Sequence, residues 1–369
     1  MKALVVGGTG PTGPFLVQGL LQRGYQVTIL HRGTHEVAEI PPEVEHIHAD
    51  PHFLDTLTQA LTGRTFDLVI ATYGRLRFVA AALVGKTSRF IGIGGTPGYR
   101  GLLVPEATFP TGLQVPTPED APQVESTEEH RFAALITQTE REVMAHHQHG
   151  HYCVTLFRYP LLYGPYQVYA PEWSVIRRIL DKRPYLILPD GGLTLLTRGY
   201  AANMAHAVLL AVDQPESSAG QIYNCGDEQV LTLRQWVEII TRTMNYKWEI
   251  VALPDAVAHP ARFLIPFQGP SYHQMMDLTK IKVELGYRDL VPVTEALPRT
   301  VRWYLEHPPA PTAVRTHHDP FDYAAEDALV TLFREALQHM QAIPFPRSSV
   351  YHSYPHPRTP GLARDHRQR

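Results

Sequence analysis

Ala3-Leu4-Val5-Val6 is a short apolar run without alternation, the pattern of a strand buried on both faces of a parallel sheet. It passes into Gly7-Gly8-Thr9-Gly10-Pro11-Thr12-Gly13, after which Phe15, Leu16, Leu20 and Leu21 recur at helical spacing and Gly24 stops the helix. Val27-Thr28-Ile29-Leu30 makes a second strand. Strand, glycine turn, helix and strand in close succession give a glycine pattern its weight.

Further along, residues 101–125 hold five prolines and little periodicity, which predicts a long loop of the kind that often serves as a lid. Residues 166–198 leave the sheet to begin a smaller lobe, with Trp173, Ile176, Ile179 and Leu180 on one helical face. A helix over 201–213 returns to the main body with Met204, Val208 and Val212, and 227–300 complete the lobe. Tyr323 to Met340 reads as an added amphipathic helix with Ala325, Leu329, Leu332, Phe333, Leu337 and Met340 along one stripe. From Ile343 the chain is rich in Pro, His and Arg and is expected to be disordered.

Composition narrows the function. The 33 Lys+Arg against 36 Asp+Glu leave a net charge of −3, with no global basic field for nucleic acid or an anionic membrane. Cys153 and Cys225 are the two cysteines, too few for a disulfide framework, so a reducing, cytoplasmic setting is expected. Nothing reaches the ~18–20 apolar residues of a membrane helix, and the N-terminus reads as a strand and not a signal peptide.

Glycines at such a turn let backbone approach a pyrophosphate and seat a helix N-terminus beneath it, where unpaired N–H groups and the helix dipole attract anions. Gly7, Thr9, Gly10, Pro11, Thr12 and Gly13 are therefore assigned to dinucleotide binding; Pro11 and Pro14 suit a first helical turn, where a missing N–H costs little. No Gly-Lys-Ser/Thr follows, which excludes a P-loop. An NAD site usually carries an acid after the second strand for the ribose 2′-OH. Here His31-Arg32-Gly33 stands there, and the next acid is Glu36. A guanidinium pairs with a 2′-phosphate, so NADP is expected ahead of NAD, with His31 and Arg32 beside it.

The Gly-x-x-Gly-x-x-Gly spacing of Gly7, Gly10 and Gly13 resembles that of the extended short-chain dehydrogenase/reductase family, which includes the NAD-dependent epimerases and dehydratases. Ala49-Asp50 with Leu54 and Leu57 resembles the segment whose Asp meets the adenine edge. Phe66-Asp67-Leu68-Val69-Ile70-Ala71 and Arg89-Phe90-Ile91-Gly92-Ile93 resemble the fourth and fifth strands, with Ala71 and Thr72 as cofactor contacts. Arg158-Tyr159-Pro160-Leu161-Leu162-Tyr163-Gly164-Pro165 resembles the strand end beside the nicotinamide, which implies contacts from Tyr159, Pro160 and Leu162. Gly220 to Gly226, Leu231 to Arg234 and Thr300 to Tyr304 continue the likeness, which covers about 1–308. It implies an α/β, Rossmann-type doubly wound parallel sheet over 1–165, rejoined by about 199–226. A smaller C-terminal substrate lobe (166–198 and 227–308) and an added C-terminal helical segment (309–342) precede the tail (343–369). It further implies a homodimer through helices near 75–86 and 126–147.

The family's hydride chemistry uses a Tyr-x-x-x-Lys pair, the lysine lowering the tyrosine pKa so that the phenol exchanges a proton with the substrate. No Tyr-x-x-x-Lys occurs in this sequence. Counting back from Glu140 puts Phe132 at the tyrosine and Ile136 at the lysine, and neither can carry a proton. The serine region, Gly94-Gly95-Thr96-Pro97-Gly98-Tyr99, leaves Thr96 and Tyr99 as the catalytic candidates. His130, two residues before Phe132, belongs to another helical face. His146-His147-Gln148-His149-Gly150-His151 ends a helix with no carboxylate or cysteine close in sequence, so it reads as a solvated helix end, and no metal is expected. His-Glu-x-x-His, Gly-x-Ser-x-Gly and Cys-x-x-Cys are all missing, which removes zinc and serine hydrolysis. The expected function is an NADP-dependent reductase, epimerase or dehydratase acting on a small polar substrate with altered acid/base groups. The alternative is a non-catalytic dinucleotide sensor, which the loss of both Tyr and Lys would suit. RNA binding is disfavoured by the net charge.

Overall fold

The computed structural model describes residues 1–309, 319–346, 354 and 356–364. The apolar runs read above become the strands β1 (Lys2–Val6), β2 (Gln26–His31), β4 (Leu68–Ala71), β5 (Arg89–Gly95) and β6 (Cys153–Tyr159), and a strand not read from the sequence, β3 (Glu45–His48), joins them. With Gln221–Asn224 they make one seven-stranded sheet in the order Gln221–Asn224, β6, β5, β4, β1, β2, β3, every pair parallel. The intervening helices are α1 (Gly13–Gln22), α2 (Leu54–Ala60), α3 (Leu76–Ala82) and α4 (Thr127–Gln148).

The unbroken apolar character of β1 follows from burial on both sides. Ala3 and Val5 face a layer holding Leu16, Val17 and Leu20 of α1 with Met204 and Val208, while Leu4 and Val6 face Leu57, Val79, Leu83 and Val143 on the other. The chain adds strands to one side of β1 (β2, β3) and then to the other (β4, β5, β6), so the C-terminal ends of β1, β4 and β5 open a crevice where ligands bind in this class of sheet.

Outside the large sheet, Leu161–Tyr163 pairs with Arg198–Tyr200, and Tyr185–Pro189 with Glu249–Leu253. The Tyr185–Pro189 strand was not foreseen; its five residues are all buried, and so short an apolar run carries no period. Residues 1–322 form one compact unit, and a second unit begins at Tyr323 with the helix Tyr323–Gln341. On that helix the expected apolar stripe is not the covered side: Leu332, Leu337 and Met340 are exposed, and Glu326 and Val330 are buried. The expectation of a disordered tail from 343 falls in part on residues 347–353, 355 and 365–369, outside the described ones.

Candidate functional site

At the glycine turn, Gly7 has φ +108°, a region costly for any side chain, and a Cβ there would sit 2.3 Å from Thr72 Oγ1. Gly13 answers to a different need: a Cβ would fall 2.0 Å from the Gly8 carbonyl oxygen, so α1 rests directly on the turn. Thr12, at the start of α1, gives no side-chain cap, and together with the turn before it borders open space. That space is a cavity of about 760 Å³ lined by Gly7, Thr9, Gly10, Pro11 and Thr12, by His31 and Arg32 after β2, and by Thr72 and Tyr73 after β4. Arg32 stacks over the Tyr73 ring at 5.5 Å, and no carboxylate lines this cavity among the described residues.

Three cofactor assignments stand differently in the structure. Gly13 acts through packing beneath the turn and Ala71 is buried in β4, neither lining the cavity. Asp50 stands outside both cavities, its carboxylate accepting from the His52 backbone N–H at 3.0 Å and lying 2.8 Å from His52 Nδ1. Its side chain is engaged locally by His52.

A second cavity, of about 920 Å³, continues from the first, sharing Thr72, Ile93, Tyr159, Leu162 and Gln167 at the ends of β4, β5 and β6. Pro160 and Thr96 line it, and its far wall is the α4 face Phe132, Leu135, Ile136 and Thr139, with Pro266 and Phe267 opposite. Phe132 and Phe267 approach with ring centroids 6.1 Å apart. The wall is mostly apolar, which departs from the expectation of a small polar substrate.

What presents that face is a clamp deeper in α4. Glu140 accepts from Arg158 Nε at 2.9 Å and Nη2 at 2.7 Å, both side chains nearly sealed from solvent, and from Gln123 Nε2 at 2.9 Å. Burial alone would lower the Arg158 pKa, but the Glu140 carboxylate outweighs it and the net direction is upward. With Glu140 held against β6, Ile136 and Phe132 fall one and two turns earlier, on the cavity wall. His130 interrupts α4 with extended backbone (φ −161°, ψ 106°), and its Nδ1 accepts from the Ala133 N–H at 3.3 Å. It therefore caps the segment that carries Phe132, a structural duty and not that of a base.

Of the two catalytic candidates, only Thr96 reaches the cavity. Its hydroxyl has no protein hydrogen-bond partner among the described residues. Tyr99 is corrected. It is 1% exposed and lines neither cavity; its hydroxyl donates to Asn224 Oδ1 at 2.7 Å and accepts from Arg158 Nη1 at 2.7 Å. Burial pushes its pKa up to about 12. It braces the clamp.

The sequence reading passed over one grouping. His31, His46, His48 and Glu36 bring one ligand atom each to within 4.8 Å of one another, the one such group among the described residues. The register explains it: β2 pairs with β3 so that His31 lies opposite His48 and Ile29 opposite His46. The available signal was His46-Ile47-His48, two imidazoles at the period-two spacing of one strand face. The 146–151 run stays at its helix end, His146 Nδ1 facing His151 Nδ1 at 2.9 Å.

A doubly wound parallel sheet with a glycine turn at its first strand and a two-part crevice defines a Rossmann-type fold. Residues 107–226 match the NAD dependent epimerase/dehydratase family. The chain resembles that family over this segment. It is 25% identical over 261 residues to the 3-diazoavenalumate denitrifying reductase of a Streptomyces species, covering 66% of this chain and 82% of that protein. It is also 25% identical over 172 residues to the Escherichia coli protein YbjS, 42% of this chain, and there it spans only half the relative's length. The crystal structure of UDP-glucuronic acid 4-epimerase from Bacillus cereus in complex with NAD shares the fold, with TM-score 0.64 and 17% identity over 83% of this chain and 99% of that one. No helix among the described residues is long and apolar enough to cross a membrane.

Proposed function

We propose that this chain is an oxidoreductase that holds NADP(H) in the first cavity and exchanges a hydride with a small substrate in the second. The observation that carries this reading is the continuity of the two cavities at the ends of β4, β5 and β6. Arg32 beside a cavity without a lining carboxylate supports NADP over NAD. NAD in the Bacillus cereus epimerase is the observation on the other side. When bound, the nicotinamide would supply the hydride.

This chain's residues would then do the remaining work. The Gly7–Thr12 turn binds the pyrophosphate, Phe132 and Phe267 exclude water from the reacting face, and Thr96 offers a hydrogen bond to the substrate. Phe132 and Ile136 carry no exchangeable proton, so the reading favours a substrate whose apolar or aromatic body fills the wall and whose reduction needs no proton from α4. A relative named as a reductase supports an enzyme over a sensor. Calorimetry with NADP(H) and NAD(H) on wild type and Arg32→Ala tests the cofactor. The expected result is NADP(H) binding about 10-fold or more tighter in wild type, with the difference collapsing in the variant, in keeping with ~1.5–3 kcal/mol for a charge-assisted hydrogen bond. Equal affinities in wild type would overturn the NADP reading.

A further inference from the structure

We propose that His31, His46, His48 and Glu36 form a tetrahedral site for a divalent transition ion of the Zn²⁺ class, built where β2, β3 and their connection meet. One ligand atom from each residue lies within 4.8 Å of the others, and the short contacts to Glu36 are divided between its two carboxylate oxygens. His31 Nε2 is 3.1 Å from His46 Nδ1, His46 Nδ1 is 3.3 Å from Glu36 Oε2, and Glu36 Oε1 is 3.6 Å from His48 Nε2 and 3.7 Å from His31 Nε2. Metal–ligand bonds of about 2.0–2.2 Å in a tetrahedron put neighbouring ligand atoms roughly 3.3–3.6 Å apart. Three imidazoles with one carboxylate is a donor set that suits Zn²⁺ and the ions that substitute for it, and not Ca²⁺ or Mg²⁺.

The site has a built side. The His31 side chain is only 4% exposed, and it is held by the Gly33 N–H, which donates to Nδ1 at 3.2 Å. That bond leaves the neutral ring's proton on Nε2, shared toward His46 Nδ1. An ion bound between the four groups takes the place of this proton. His31 then carries its hydrogen on Nδ1 and releases the Gly33 N–H, so the Arg32–Thr34 turn rearranges when metal enters. Glu36 lies in the same connection, between β2 and β3, and the ion ties it to both strands. Since His31, Arg32, Thr34 and His35 line the first cavity, the ion would set the shape of its β2 end.

Titration of metal-stripped full-length protein with Co²⁺, in the absence of any nucleotide, reads the site independently of the cofactor assignment. One Co²⁺ per chain with the intense visible bands of tetrahedral coordination is expected in wild type, displaced by Zn²⁺. His46→Ala/His48→Ala, both at exposed positions on a strand edge, should lose those bands. Its affinity should fall by at least the ~100-fold at the upper end of what loss of an outer-shell partner costs. Glu36→Gln, which keeps the fold if the double variant does not, should shift the bands and weaken binding. His149→Ala/His151→Ala should leave them unchanged. Tetrahedral bands that persist in both His46→Ala/His48→Ala and Glu36→Gln, or none in wild type, would overturn the proposal.

Discussion

At Thr96 a hydroxyl without a protein partner among the described residues borders the second cavity, at the end of β5. Thr96→Val removes the donor at nearly constant volume. With an active substrate it should lower kcat by about 10–100-fold, at the low end of what a positioned proton-transferring group contributes. Phe132→Leu keeps an apolar wall and should retain most of the turnover, with its effect in KM. Steady-state kinetics of the two variants decides this. The reverse pattern would place the essential chemistry on α4 and not at the end of β5. Tyr99 shows why residue type alone does not settle such a question: a phenol beside the expected site spends both its hydrogen-bonding functions on Asn224 and Arg158.

On the scale of the element, α4 is positioned by the Glu140–Arg158 pair and capped within by His130. A buried pair is weak evidence of net stabilisation, yet removing one partner strands the other charge. Glu140→Gln leaves the Arg158 guanidinium short of its carboxylate, and unfolding in denaturant should show a loss of about 3–5 kcal/mol. A loss under 1 kcal/mol would mean that Tyr99 and the Glu119 carbonyl hold Arg158 without it. Because the same clamp sets which α4 side chains reach the cavity, the variant should also weaken substrate binding more than dinucleotide binding.

For the molecule as a whole, the charge buried in the smaller lobe sets a pH dependence. Glu172 is 1% exposed, neither of its carboxylate oxygens has a hydrogen-bond partner among the described residues, and Arg198 stacks over Trp236 at 4.3 Å with its Nε and Nη1 likewise unpartnered among them. Burial pushes the Glu172 carboxyl up to about 7 from 4.5, with Arg198 opposing. A raised carboxyl pKa means that the folded state prefers the neutral form. The stability this group contributes is full below about 4.5 and is lost as pH rises through about 7. Thermal melting from pH 5 to pH 8 should show a decline across that window that Glu172→Gln flattens. An unchanged profile in the variant would assign the decline to other groups, Asp227 first, whose burial raises it to about 6.

The sequence by itself determined what depends on neighbours along the chain. β1, β2 and the turn between them, the Gly-x-x-Gly-x-x-Gly fit, the bounds of α4 to within a residue or so, and the lack of a Tyr-x-x-x-Lys pair all rest on local periodicity, φ > 0 positions and spacing. Only the tertiary structure decided what depends on contacts between distant segments. Strand register alone brought His31 beside His46 and His48. Burial, which no local pattern measures, turned Tyr99 away from the cavity, while Asp50 was taken up by His52. The apolar wall came from Phe132 and Phe267, far apart in sequence and adjacent only because Arg158 and Glu140 set the depth of α4. Side-chain chemistry is inherited from the residue, but its partners are chosen by packing, and in this protein packing separates the residues that reach the crevice from those that brace it.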